Sequence, residues 1–456
     1  MHRIPALLFS LPFLVGVALA LRCNPLIIMA LAPMWRRPLL LLGAGLVGFL
    51  YTSYMVTLPV GEGEGRARLH IERILPSGKG WLYQGRLKSF EGETVGRGLP
   101  IRWKTAERLE GSTDYWADGR LVKRGGYRLV KGRGWEPIAG SHSFAERRYQ
   151  TRVRVERYLS RHLSAESAPF LRALICGDLL DPQTLLDFSR LGLIHLMVIS
   201  GFHFSLIAGM LGLIMRPKVP YKLAAILLLW ILSFYFGFLG CSPAVVRAFV
   251  MAAMGLVALL IERQNFAMNA LGVSLVIVLL IDPCALFSAG FAFSFLCTGA
   301  ILTFYRPVER LLRPLIPPFK SPEVWKMPLL DQHGYLFATW IRRGLALGIS
   351  VNTAALPLTL FYFHQFPWLG LLCNLFFPAL IALMLFLLPF AALCPLLFWI
   401  EEGLIRAATG FTHYLPPFFD FRWVVVDFPL ELLLGILALL LLLLLKKNQR
   451  IVKRGL

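Results

Sequence analysis

Apolar runs of spanning length recur through the second half of the chain, near 195 to 215, 222 to 240, 243 to 261, 266 to 281, 288 to 305, 344 to 363, 368 to 399 and 428 to 445. A hydrocarbon core about 30 Å thick is crossed by about 20 helical residues, and a helix satisfies its own backbone where lipid offers no partners. Such a chain can fold only as a polytopic bundle. The 368 to 399 run is long enough for two short segments broken near Pro378 or Pro389. At the N-terminus, Ile4 to Leu21 reads as a retained helix rather than a signal peptide, because a second run from Pro38 to Tyr54 follows Arg36 and Arg37; the short piece from Pro25 to Trp35 is open. With 57% hydrophobic and 16% charged residues, a soluble enzyme is excluded.

Between about Thr57 and Leu163 charges, glycines and alternating residues replace the long runs, marking a separate soluble domain. Arg66-Ala-Arg-Leu-His-Ile-Glu-Arg-Ile and Trp81-Leu-Tyr-Gln-Gly-Arg-Leu-Lys-Ser alternate apolar with polar, and Gly125 and Gly126 separate two further strand-like pieces, around Leu121 and from Tyr127 to Val130. Short strands joined by glycine turns predict a small barrel or another compact β-domain. An Arg-rich amphipathic stretch from Phe144 to His162 is expected to lie on a membrane surface, and Pro169 to Leu193 is read as a helical lead-in to the spans.

Residues 188 to 209, Phe-Ser-Arg-Leu-Gly-Leu-Ile-His-Leu-Met-Val-Ile-Ser-Gly-Phe-His-Phe-Ser-Leu-Ile-Ala-Gly, place polar groups inside one such run. In lipid His195, Ser200 and His203 must face protein or a wet cavity. On an ideal helix the two histidines lie about two turns apart and within about 80° around the axis, so they border one cavity or form a buried hydrogen-bonded pair. Ser200-Gly201 is placed to loosen or interrupt the helix. Arg247, one turn after Pro243 in an apolar helix, needs an anionic partner, either a passing phosphate or Asp282.

The wording of residues 188 to 209, a His-Leu, a few apolar residues, Ser-Gly, one residue and a second His, resembles the signature of the ComEC family of competence proteins, with Phe202 where Leu is usual. The resemblance extends to Leu171-Arg-Ala-Leu-Ile-Cys-Gly-Asp178, to Cys241-Ser-Pro-Ala-Val-Val-Arg-Ala-Phe-Val-Met, to Asp282-Pro283 followed by Gly290-Phe-Ala-Phe-Ser-Phe-Leu, and to Phe363-His-Gln-Phe-Pro-Trp-Leu-Gly-Leu-Leu-Cys-Asn-Leu. These segments run in order from Pro169 to about Ile400. The resemblance implies a polytopic α-helical membrane protein with an inserted small all-β, OB-like soluble domain, acting as an inner-membrane channel that passes single-stranded DNA into the cytoplasm during transformation. Expected divisions are 1–56 for the N-terminal spans, 57–143 for the β-domain, 144–190 for the amphipathic and lead-in helices, 191–446 for the channel domain and 447–456 for a basic tail. His195, Ser200, Gly201, His203, Arg247, Asp282, Gln365 and Asn374 are the candidate lining or gating residues; Gln365 and Asn374, with His364, sit at an outer helix end and read equally as interface anchors.

Lys446, Lys447, Arg450, Lys453 and Arg454 predict a cytoplasmic tail, and counting back places the β-domain outside. From Thr57 to Leu163 there are 22 Lys and Arg against 12 Asp and Glu, a net of +10. Trp81, Arg86, Lys88, Arg102, Trp103, Lys104, Arg124, Tyr127, Arg128 and Lys131 interleave cations with aromatics, as a groove that tracks phosphates and stacks bases requires; the alternative is a basic domain resting on anionic headgroups with its aromatics in its core. No catalytic residue, metal or cofactor is expected: the His-x-His-x-Asp-His cluster of the nuclease domain that many relatives carry is missing from the sequence, as is a Walker-type loop. A separate nuclease, a DNA receptor and a cytoplasmic motor are therefore the expected partners besides DNA and lipid, with homo-oligomerisation open. Seven cysteines avoid the soluble domain and do not read as a disulfide framework, although Cys241 and Cys284 both fall near outer turns. Two other readings stay open, a membrane enzyme acting on a lipid-linked substrate and a small-anion transporter using Arg247.

Overall fold

The computed structural model describes residues 5–21, 23, 38–55, 62–77, 80–123, 127–177, 181–199, 201–262, 267–319, 324–416, 422–433 and 435–436. Two N-terminal helices, α1 (Pro5–Ala20) and α2 (Pro38–Met55), precede the strands. They pack so closely that a Cβ on Gly16 would fall 1.9 Å from the Gly45 carbonyl oxygen and one on Gly48 2.3 Å from that of Phe13. Small residues at such a crossing let apolar helices associate in lipid by van der Waals contact.

The soluble segment is a closed five-stranded barrel of β1 (Gly63–Ser77), β2 (Gly80–Phe90), β3 (Glu93–Thr105), β4 (Asp114–Lys123) and β5 (Tyr127–Ile138), in the order β1-β2-β3-β5-β4. Closure leaves no free edge, and a small five-stranded barrel at this place is what the OB-like expectation called for. The period-two pattern sends Ala67, Leu69 and Ile71 of β1 inward, where they meet Tyr83, Leu87, Ile101, Trp103, Tyr115, Ala117 and Leu121. Register shifts between Arg68 and Leu69 and between Ile71 and Arg73 bend β1 around the barrel.

The barrel leads into α3 (Ala145–Leu159), α4 (Ser167–Cys176) and α5 (Pro182–Arg190), then α6 (Ile194–Met197), α7 (Gly201–Met215), α8 (Tyr221–Leu239), α9 (Pro243–Leu260), α10 (Ala267–Ile281) and α11 (Ala289–Leu312). After α12 (Leu329–Phe363), strand β6 (Gln365–Pro367) pairs with β7 (Arg422–Val424), and α13 (Leu369–Leu393) and α14 (Phe398–Tyr414) lie between them in sequence. Among the described residues six helices, α2, α8, α9, α11, α12 and α13, are long and apolar enough to cross a membrane, making this a multi-pass membrane protein. The run expected from 428 to 445 and the basic tail lie largely or wholly outside the described residues.

One sequence expectation changes. α13 runs unbroken through Pro378 and Pro389, and the chain breaks instead at Cys394, where Pro395 opens a 3-10 turn. In lipid a helix with two missing donors leaves fewer bare backbone groups than an interrupted one. The 195 to 215 run is two helices, with the gap between them at the centre of the candidate site.

Candidate functional site

The break begins at Leu191. Gly192 follows with φ +67°, a conformation that costs a side-chain-bearing residue about 1–2 kcal/mol, and α6 then lasts only four residues before Val198 extends the backbone. The 80° relation expected of His195 and His203 therefore fails, because an extended residue separates their helices. Ser200 lies outside the described residues. His195 is exposed, and its Nδ1 sits 2.9 Å from the Gly192 carbonyl oxygen. His203 is buried, its ring edge-on to Phe202.

The Phe363-His-Gln-Phe-Pro motif braces this break. A Cβ on Gly192 would approach Pro367 Cγ to 2.7 Å, and one on Gly370 would approach the Leu191 carbonyl oxygen to 2.7 Å. The motif is fixed in turn by the β6–β7 pairing, by Arg422 Nη1 donating to Gln365 Oε1 at 3.2 Å and by Val425 N donating to the His364 carbonyl at 2.9 Å. Gln365 is thus a brace in this structure. Asn374, on α13, keeps a buried Oδ1 with no hydrogen-bond partner among the described residues.

Arg247 is 7% exposed. Its Nε donates to Ser294 Oγ at 2.6 Å, and Nη1 donates to Thr298 Oγ1 at 2.8 Å and reaches Met251 Sδ at 3.6 Å. A Cβ on Gly201 would lie 3.4 Å from Nη2, so the guanidinium faces the start of α7. Asp282, the carboxylate that sequence offered as its partner, is engaged elsewhere: it accepts from Arg86 Nη2 at 3.0 Å and caps the following turn through Cys284 N at 3.0 Å. Among the described residues no carboxylate pairs with Arg247, which leaves a buried cation held by neutral groups. Ser294 and Thr298 were not singled out from sequence; the available signal was two hydroxyls four apart, hence on one face of an apolar helix.

The barrel residues divide into two sets. Trp103 and Tyr127 are in the core, and Trp81 packs edge-on against Tyr149 of α3 at 5.7 Å, so their rings hold the domain together. Arg86 bridges Glu72 (2.9 Å) and Asp282 (3.0 Å); burial opposes its charge, but the two carboxylates outweigh it and hold its pKa above the ordinary value. It ties the barrel to the helical domain, as does Arg73, donating to the Gly177 carbonyl, while Arg148 of α3 donates to the Gly237 carbonyl of α8. Lys88 is half-buried, and Arg124 and the side chain of Lys131 lie outside what is described. Arg102, Lys104 and Arg128 do face outward, joined by Arg120. Arg102 and Arg128 are cross-strand neighbours, a like-charge pairing that costs stability unless an anion offsets it. Trp135 of β5, 44% exposed and edge-on to Tyr115, is an open aromatic that sequence reading passed over.

Among the described residues no group of three or more His, Cys, Asp or Glu is arranged to hold a metal ion, and Cys241 and Cys284 are free thiols.

Comparison with known proteins bears on the helical part. The Competence protein family profile matches residues 174–450. Over 182 residues, 39% of this chain and 24% of the relative, the chain is 29% identical to ComE operon protein 3 of Bacillus subtilis (strain 168). Over 231 residues, 47% of this chain and 56% of the relative, it is 25% identical to the Uncharacterized protein MG316 homolog of Mycoplasma pneumoniae. The matches thus span about a quarter and a little over half of those relatives' lengths. No solved structure matches. The matched region holds the broken helix, Arg247 and the brace, and the chain belongs to the competence protein (ComEC) family.

Proposed function

We propose that this protein conducts a DNA strand across the bacterial inner membrane in natural transformation, with the barrel receiving it outside and the helical domain passing it to the cytoplasm. The observation that carries this reading is Arg247, a buried guanidinium with hydroxyl partners and no carboxylate among the described residues, turned toward a broken helix. A cation inside a membrane helix is costly, by about 3 kcal/mol at its centre and less toward its ends, and a chain that retains one without a carboxylate partner among the described residues gains by lending it to an anionic cargo. A phosphodiester supplies that anion transiently, and the hydroxyls of Ser294 and Thr298 keep the guanidinium oriented between phosphates without competing for it. His195 adds an accessible polar ring on the path. The outward Arg102, Lys104, Arg120 and Arg128, with Trp135, give the barrel a sequence-independent grip on backbone and bases. A motor, a receptor and a strand-degrading nuclease are the partners that this reading expects.

A photo-reactive residue placed at His195 tests the path during uptake of labelled DNA. An adduct to DNA is expected there, with only lipid adducts at the exposed Leu336; lipid adducts alone at both positions would overturn the reading.

A further inference from the structure

α3 joins the barrel to the helical domain over about 22 Å, and its sides are used differently. One side is spent on the protein. Ala145, Arg152 and Leu159 are buried; Tyr149 lies against Trp81 and under Arg108; Arg152 stands over the Phe238 ring at 5.9 Å; and Tyr158 Oη donates to the Ala392 carbonyl at 3.3 Å. The other side is open and cationic, exposing Arg147, Gln150, Thr151, Arg154 and Arg157, with Arg161 in the turn that continues it. At 100° per residue Arg147, Arg154 and Arg161 fall within about 40° of one another, and Arg157 within about 80° of Arg147.

The acids of α3 are engaged elsewhere. Glu146 is taken by Arg108 (2.5 Å) and the Gly111 amide (3.0 Å), and Glu156 by Arg172. Among the described residues none of the four row arginines pairs with a carboxylate. Sequence alone lays this helix on a membrane surface, but a surface helix needs its apolar face free to enter the acyl boundary, and here that face is already occupied by β1, α4 and the ends of α13 and α14. What remains free is a row of guanidiniums, with Phe144, 65% exposed and 5.9 Å from Arg147, as a stacking face at its start.

We infer that the open side of α3 is a phosphate-binding ladder that holds a nucleic-acid strand between the barrel and the helical domain. The inference rests on the strand-conducting reading above. Guanidiniums spaced along one helix face engage successive phosphates without reading bases, and their contribution appears as salt dependence.

The test titrates fluorescein-labelled oligothymidylate against the full chain in lipid nanodiscs by anisotropy, at several salt concentrations. For the quadruple variant Arg147→Gln, Arg154→Gln, Arg157→Gln, Arg161→Gln, the slope of log affinity against log salt is expected to shrink by about 0.7 for each phosphate released from an arginine, approaching 3 for all four. The double variant Arg154→Gln, Arg157→Gln is expected to show about half that decrease, and it carries the test should the quadruple variant fail to fold. Unchanged slopes in the variants overturn the ladder and leave the channel reading standing, whereas a wild-type chain that does not bind the oligonucleotide overturns both. If the variants bind DNA normally but melt earlier only in nanodiscs rich in anionic lipid, the row holds headgroups and the inference is wrong.

Discussion

At the residue scale, strand conduction as proposed turns on a buried charge and a glycine. Replacing Arg247 by Met removes an uncompensated guanidinium, so the melting temperature of the purified variant is expected to stay level or rise; a loss above about 3 kcal/mol would identify a structural ion pair instead. Gly192→Ala meets both a left-handed backbone and Pro367, and is expected to cost about 1–3 kcal/mol, read as earlier thermal unfolding in detergent. A variant as stable as the parent would show that the α5–α6 turn relaxes. Sequence carried Arg247, His195 and Gly201 plainly, because polar groups in apolar runs stand out. It could not carry Asp282's choice of Arg86 over Arg247, since that choice depends on where a separate domain docks.

At the scale of elements, α5 offers a test by pH. Asp181 caps it by accepting from the Gln183 and Thr184 amides, each at 3.0 Å; burial works against its charge, but these hydrogen bonds, with the Thr184 hydroxyl, outweigh it and hold its pKa below the usual 3.8. A depressed carboxylate stabilises above its unfolded pKa and loses that contribution as pH falls through the folded value. Amide exchange at Gln183 and Thr184 should therefore quicken, relative to its intrinsic rate, as pH drops below about 4, and Asp181→Asn, which still caps, should abolish the dependence; persistence in the Asn variant would place the titrating group elsewhere. The strands were legible because β1 and β2 alternate, and the break at Val198 was only half legible: Ser200-Gly201 marks it, but the four-residue α6 has no periodicity to read. The brace by Pro367 and Gly370 was invisible, since it joins motifs some 170 residues apart.

For the whole molecule, composition and apolar runs fixed a multi-pass class, and the barrel's place between α2 and α3 followed from the change of pattern near Thr57. The net charge was legible as a sum but not in its division. Arg73 and Arg86 fasten the barrel to the helices, while Arg102, Lys104, Arg120 and Arg128 face outward. Neutralising those four to Gln should weaken oligonucleotide binding and flatten its salt dependence, whereas Asp282→Asn should loosen the barrel, read as faster exchange at the β2 amides, without changing that slope. Equal slopes for both would mean that the outward set does not meet DNA.

Whether Arg247 serves a passing strand is decided most directly by entry of labelled DNA into the cytoplasm of transformable cells that carry this chain as their only family member, either wild-type or with Arg247→Met, each shown to be present in the membrane. The variant is expected to bind DNA at the cell surface but to leave it outside the inner membrane. Undiminished entry through a membrane-inserted Arg247→Met chain would contradict conduction past this guanidinium.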